Sequence, residues 1–260
     1  WQIAVTSTDM TNDDYKSNGR LLEFEGMPGT YILDPSMNAA QAQYSFGQTI
    51  QNFGNGSGHE EGILASKKVI ERAVAGQSHH QDFIRNGADL SIVVLSDEDE
   101  ASDGNNLGIT PQGFVNFVNN TYNGQKNMVF HSIISRPGDQ ACANGEGYNI
   151  GHTYDELSRL TGYGQLGGAI IGSVCEADYT SQLADIGQSV KDLQNSITLD
   201  CNPFDSNSDG NPDVTIMYRA NAGAQYQSYS APFQVQNQKL IFQDLLPPGD
   251  YKVDYQCRIN

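Results

Sequence analysis

The densest run of cation-competent oxygen in the chain is Asp205-Ser206-Asn207-Ser208-Asp209-Gly210-Asn211-Pro212-Asp213. Oxygen side chains at alternate positions, a glycine for the bend and a carboxylate four residues beyond Asp209 suit a hard cation of Ca²⁺ size. Asp205, Asn207, Asp209 and Asp213 are the expected side-chain ligands, with Asn211 contributing its carbonyl. The same residues also make an Asx-rich turn that needs no metal. A second acidic run, Ser96-Asp97-Glu98-Asp99-Glu100, follows the apolar stretch Leu90–Leu95 and reads either as a ligand-bearing loop or as a solvated one. His59-Glu60-Glu61 lacks a second histidine at i+4, so the zinc-hydrolase helix is excluded. No Gly-x-Ser-x-Gly elbow, P-loop or dinucleotide fingerprint is present, and no nucleophile–base pair can be identified. Enzymatic activity is therefore not expected; a divalent-metal hydrolase built on the acidic loop is the least favoured reading.

The four cysteines, Cys142, Cys175, Cys201 and Cys257, form an even set without a CxxC or a zinc-spaced Cys/His cluster. That favours two disulfides and an oxidising compartment over metal binding. A net charge of −17 argues against nucleic acid and an anionic membrane surface as partners; it suits cations or basic surfaces and serves equally as a solubility device. No apolar run approaches the roughly 20 residues of a membrane span.

These residues need elements to position them. Trp1–Thr6 reads as a buried strand and Arg20–Glu25 as a second, on either side of a polar loop. Helical spacing runs through Met37–Phe53, and a second helix starts near Ser57 or Gly58 and stops at Gly76. Leu90–Leu95 is a short β-branched run of the kind buried on both faces of a parallel sheet. Thr110-Pro111 gives an N-cap and first turn to the helix bearing Phe114, Phe117 and Val118. Met128–Ile134 and Ala169–Val174 read as strands, Tyr154–Leu160 and Asp178–Leu193 as helices. His79 and His80 are expected at the surface and His131 in the core. Strands alternating with helices imply a Rossmann-like, mostly parallel α/β sheet with helices on both faces, over residues 1–197.

After Ile197 the pattern becomes all-β, with strands at Val214–Tyr218, Phe233–Val235, Lys239–Phe242 and Tyr251–Tyr255. Residues 198–260 are expected to form a small β-sandwich-like module. Cys201 and Cys257 stand at its ends, where a bridge would contribute about 4 kcal/mol in the chain-entropy model.

Three segments resemble the von Willebrand factor A (VWA) domain of secreted bacterial envelope proteins. Ser57-Gly58-His59-Glu60-Glu61-Gly62-Ile63-Leu64 resembles the family's second metal loop, Leu90–Leu95 with Ser96-Asp97 its fourth strand and third metal loop, and Leu157-Ser158-Arg159-Leu160-Thr161-Gly162 the turn before its last strand. The resemblance covers about residues 1–195. It implies a Mg²⁺ or Mn²⁺ adhesion-type site at the C-terminal edge of the sheet, with Ser57 giving a hydroxyl and Asp97 a carboxylate. It also implies neighbouring strands before Cys142 and at Cys175, hence the pairings Cys142–Cys175 and Cys201–Cys257. The family's first strand, with its Asp-x-Ser-x-Ser motif, does not occur in residues 1–260, and Trp1 reads as the start of the second. A missing central strand leaves unpaired backbone, so one is expected from an upstream segment, a nicked piece or another chain. The acidic loop at 205–213 resembles the calcium loops of thrombospondin-type repeats, with a structural Ca²⁺.

The expected function is an extracellular or periplasmic binding or adhesion protein recognising a protein or glycan. Its contact face is expected at Thr8, Asp9, Asp99 and Asp103, beside Ser57 and Asp97. The alternative is a structural subunit of a surface assembly, with a donated strand and no functional metal.

Overall fold

The computed structural model describes residues 1–10, 18–53, 59–85, 88–101, 109–146, 148–165, 167–208, 210–236, 238–244, 246–247 and 249–257. In chain order its elements are α1 (Ala39–Gln51), α2 (Gly62–Val74), α3 (Ser78–Phe83), β1 (Leu90–Leu95), α4 (Pro111–Thr121), β2 (Met128–Ile134), α5 (Gln140–Glu146), α6 (His152–Leu160), β3 (Ile171–Ser173), α7 (Thr180–Gln194), β4 (Ser196–Thr198), β5 (Val214–Arg219), β6 (Gln227–Ser228), β7 (Phe233–Gln236), β8 (Lys239–Phe242) and β9 (Asp250–Tyr255). The chain divides into two compact units, residues 1–163 with 169–182 and residues 164–168 with 183–260. The division falls inside α7, upstream of the change of pattern after Ile197.

In the first unit β1, β2 and β3 form a parallel sheet in that order, with Leu90 opposite Met128 and Ser132 opposite Ile171. One face is a continuous core. Leu90 and Val94 of β1 and Phe130 and Ile134 of β2 pack with Ile63 and Ile70 of α2, Phe114 and Val118 of α4, and Tyr154 and Leu157 of α6. The Thr110 hydroxyl accepts the Gly113 amide with Pro111 at the first turn of α4, as its sequence predicts.

The N-terminal segments depart from expectation. Trp1–Thr6 and Arg20–Glu25 form no ladder among the described residues. Ile3 and Leu33 make a single antiparallel bridge, and the Leu22 amide bonds to the Val5 carbonyl. The apolar residues of the second segment, Leu21, Leu22 and Phe24, are buried without strand pairing, whereas Trp1 and Ile3 of the first are exposed, so it is not the buried strand expected. The full Rossmann-like sheet read from the sequence thus reduces, among the described residues, to one three-stranded parallel sheet. Another departure is α2, which begins at Gly62 rather than near Ser57. His80 is buried, not at the surface, and its Nε2 lies 2.9 Å from the Gly19 carbonyl. His79 is exposed and stacks on Tyr31. His131 is fully buried.

The second unit carries two antiparallel three-stranded sheets, β4-β8-β7 and β6-β5-β9. Ile216 from one and Leu240 and Phe242 from the other share a core with Leu199, edged by Phe233, Val235, Tyr251 and Val253. The disulfides are Cys142–Cys175 in the first unit and Cys201–Cys257 in the second. No helix among the described residues is long and apolar enough to cross a membrane.

Candidate functional site

Open parallel sheets expose ligand-binding loops beyond the carboxyl ends of their strands, and β1 ends at the acidic run. The Ser96 amide continues the ladder to the Ile133 carbonyl, and the buried Ser96 hydroxyl bonds to the backbone of Glu98. The four acids that follow do different work. Glu100 is 4% exposed and accepts the α2 amides of Ile63 at 2.7 Å and Leu64 at 3.4 Å. The Tyr154 hydroxyl accepts the next amide, from Gly62, at 3.0 Å. A carboxylate at a helix N-terminus satisfies donors that have no partner in the helix and complements its dipole. Asp99 serves α6 in the same way, accepting the Thr153 amide at 2.9 Å and the Thr153 hydroxyl at 3.0 Å.

The site needs a small residue where α2 begins. A Cβ on Gly62 would lie 2.9 Å from Val94 Cγ2 and 3.0 Å from the Tyr154 hydroxyl. Replacing Glu100 with alanine removes the acceptor for two buried amides and is expected to cost about 2 kcal/mol. Glu100→Gln, which keeps an acceptor, should recover part of that loss. Urea-unfolding midpoints of the two variants check this, and equal midpoints for Glu100→Ala and the parent would refute the capping role.

Asp97 and Glu98 are left facing the rim. Glu60 joins them: burial pushes its carboxyl above the usual range, a hydrogen bond with Thr8 opposes the rise, and Asp97, Glu98 and Asp9 add to it by repulsion. Backbone bonds fix this arrangement, since the Glu61 amide donates to the Thr8 carbonyl and the Ala101 amide to the Glu60 carbonyl. Burial also raises Glu61, next to His59 and Asp9. Beside the rim, the Asn149 amide donates to the Asp97 carbonyl, and Asn149 helps line an open groove of about 550 Å³ with Gln140, Asn144, Tyr148 and His152.

The structure therefore brings Thr8, Asp9 and Asp97 together and adds Glu60 and Glu98, which the sequence reading did not single out. Asp99 lies on the same loop, but its carboxylate is committed to α6. Ser57 and Asp103 lie outside the described residues.

In the second unit the 205–213 loop is closed by its own carboxylates. Asp205 accepts the Gly210 amide at 2.8 Å and Asp213 accepts the Ser206 amide at 2.9 Å. Ser208 and Gly210 take positive φ values of 58° and 89°, the second at a residue suited to it. Asn207 and Asn211 are exposed on the same loop, and Asp209 lies outside the described residues. Among the described residues no group of three or more His, Cys, Asp or Glu side chains is placed to hold a metal ion, here or at the β1 rim. No protein-family model, curated protein or solved structure matches the chain.

Proposed function

We propose that this is a binding protein working outside the cytoplasm, a VWA-like module that recognises a partner at the carboxyl end of its parallel sheet. The observation that carries the reading is the convergence of Thr8, Asp9, Glu60, Asp97 and Glu98 on one rim. Asp9, Asp97 and Glu98 stand close enough to Glu60 to add by repulsion to its proton affinity; such a cluster attracts positive charge, and the −17 formal charge of the chain extends that attraction over distance. The partner is a protein presenting basic side chains, or one bridged to Asp97 by Mg²⁺ or Mn²⁺. Two disulfides suit an oxidising envelope or extracellular setting. No catalytic step is assigned.

Retention of the parent chain on immobilised bacterial envelope proteins, compared with Asp97→Ala and Glu60→Gln, tests the reading. Both substitutions are expected to weaken retention at least tenfold, and a chelator arm separates the ion-bridged contact from the direct one. Unchanged retention in both variants would remove the rim from the function.

A structural Ca²⁺ at Asp205, Asn207, Asp209, Asn211 and Asp213 belongs to the same proposal. The loop's alternating oxygens support it, while the carboxylate–amide bonds show that it also closes unaided. Millimolar Ca²⁺ should raise the melting temperature of the second unit by several degrees. It should do so in the parent and not in Asp205→Ala/Asp213→Ala. A melting temperature indifferent to Ca²⁺ would leave the loop an Asx-rich turn.

A further inference from the structure

Away from the acidic rim, the first unit holds a cavity of about 400 Å³, a size that small-molecule sites use. Leu21, Pro28, Tyr31 and Phe53 give it apolar and aromatic walls, and Glu23 and Glu25 also line it. Both glutamates are exposed, which places them at the opening, whereas Leu21 is buried and lies toward the back. No lysine, arginine or histidine lines the cavity, and neither glutamate is ion-paired among the described residues. The cavity shares no residue with the rim of Thr8, Asp9, Glu60, Asp97 and Glu98.

Backbone bonds shape this cavity in advance of any ligand. The Phe24 amide donates to the Thr30 carbonyl at 2.8 Å, and the Met27 and Thr30 amides donate to the Phe24 and Met27 carbonyls at 3.0 Å. Gly26 and Gly29 take the positive φ values, 73° and 77°, that this tight turn requires. Two buried hydroxyls of α1 clamp the turn to the helix. Thr49 accepts the Glu25 amide at 2.9 Å while donating to the Ser45 carbonyl, and Ser45 donates to the Glu25 carbonyl. Glu25 is thus fixed through its backbone, and its carboxylate is left to the opening. Glu23 is steered by the Gly29 amide, which it accepts at 2.6 Å, and Tyr31 by its stacking on His79, with ring centroids 4.2 Å apart. A site whose parts are already fixed loses little entropy on binding.

The lining selects the charge of an occupant. An anion would meet two carboxylates and no cation. A neutral molecule would take water from those carboxylates and return no charge. A cation with an apolar body satisfies both halves: its charged end meets Glu23 and Glu25, and its body covers Pro28, Tyr31 and Phe53, whose aromatic faces also attract cations. The −17 charge of the chain raises the local concentration of such ligands. We propose that this cavity is a binding site for a small organic cation, an amine or guanidine carried on a compact apolar body. It is independent of what docks at the acidic rim.

Amide chemical-shift titration with 3-phenylpropylamine tests this, at physiological ionic strength so that loose attraction to the acidic surface is screened. Shifts should concentrate at Glu23, Glu25, Gly26, Tyr31 and Phe53 and saturate with a Kd of about 1 mM or tighter. The neutral 3-phenylpropanol should bind at least roughly tenfold more weakly, and 3-phenylpropanoate should move none of these amides. Glu23→Gln/Glu25→Gln, which keeps an acceptor for the Gly29 amide, should weaken the amine at least roughly tenfold and leave the alcohol unchanged. The proposal is overturned by the absence of a saturable shift at the cavity, by shifts spread equally over the Asp97 rim, or by equal binding of amine and alcohol. An amine affinity unchanged in the double variant overturns it as well. So does tighter binding of Nα-acetyl-lysine N-methylamide than of the aromatic amine, which would assign the cavity to a lysine presented by a protein.

Discussion

Replacing Cys201 and Cys257 together by serine is expected to unfold the second unit while the first stays folded. The bond spans 56 residues, and in the chain-entropy model opening a loop of that length releases about 4 kcal/mol into the unfolded ensemble. Little stands against that loss. Among the described residues the buried apolar cluster shared by the two sheets is small, Leu199, Ile216, Leu240 and Phe242, and modules of this size seldom exceed roughly 3–5 kcal/mol of net stability without a staple. Beside the bridge the two ends share only a few hydrogen bonds among the described residues: Pro203 meets Cys257 in an isolated bridge, the Phe204 amide donates to the Gln256 carbonyl, and the Asp200 amide reaches the Tyr255 hydroxyl. The expected signature is loss of the near-ultraviolet tyrosine dichroism from the Tyr218, Tyr229 and Tyr251 cluster. Proteolysis should begin beyond residue 197. Serine at Cys142 and Cys175 removes a 33-residue loop of similar entropic weight, but the core around Phe114, Phe130 and Tyr154 should keep that unit folded. A Cys201→Ser/Cys257→Ser chain with parental dichroism and protease resistance would show that the apolar core suffices.

What could be read in the sequence follows a physical division. β2 is visible because a strand buried on both faces must be apolar at nearly every position, β1 because it is an equally short apolar, β-branched run although Val93 and Leu95 are exposed, and α4 because Thr110 and Pro111 announce a helix start locally. The disulfide pairing followed from the order of the strands once a fold was supposed. The roles of the acids could not be read, because they depend on contacts far apart in the chain. Glu100 meets Ile63 across 37 residues and Asp99 meets Thr153 across 54. Composition made 96–100 one acidic run, whereas the fold makes two of its members helix caps and leaves Asp97 and Glu98 at the rim. Glu60 carried one local sign, the neighbouring Gly62, whose missing side chain makes room for Val94 and Tyr154 where α2 begins. Trp1–Thr6 failed as a strand for a related reason. A short apolar run is not enough for a strand, because a ladder needs a neighbour; the described residues offer this one only a single bridge, and Trp1 and Ile3 are exposed.

Acid should destabilise the first unit through His131 before most carboxylates titrate. The ring is 0% exposed, its Nδ1 accepts the Ile170 amide at 3.0 Å, and its Nε2 has no partner among the described residues. Accepting at Nδ1 places the proton of the neutral ring on Nε2, so charging the ring would bury a cation with no counter-ion. Burial accordingly holds its pKa at about 4, against 6.5 for an ordinary imidazole. The unfolded chain then binds the proton first. Stability is intact above about pH 6.5, falls as the pH drops toward 4 and levels off below it, a loss of about 3 kcal/mol from this residue. His80, lowered mainly by burial, acts in the same direction, whereas Glu60, raised by burial, acts in the opposite one. The contribution of His131 must therefore be read as a difference. His131→Asn keeps an acceptor for the Ile170 amide and removes the titration, so parent and variant should diverge by about 3 kcal/mol between pH 7 and pH 4. Urea midpoints at the two pH values provide the comparison. Parallel pH profiles would mean that the ring is charged in the folded protein and that a counter-ion or water reaches Nε2.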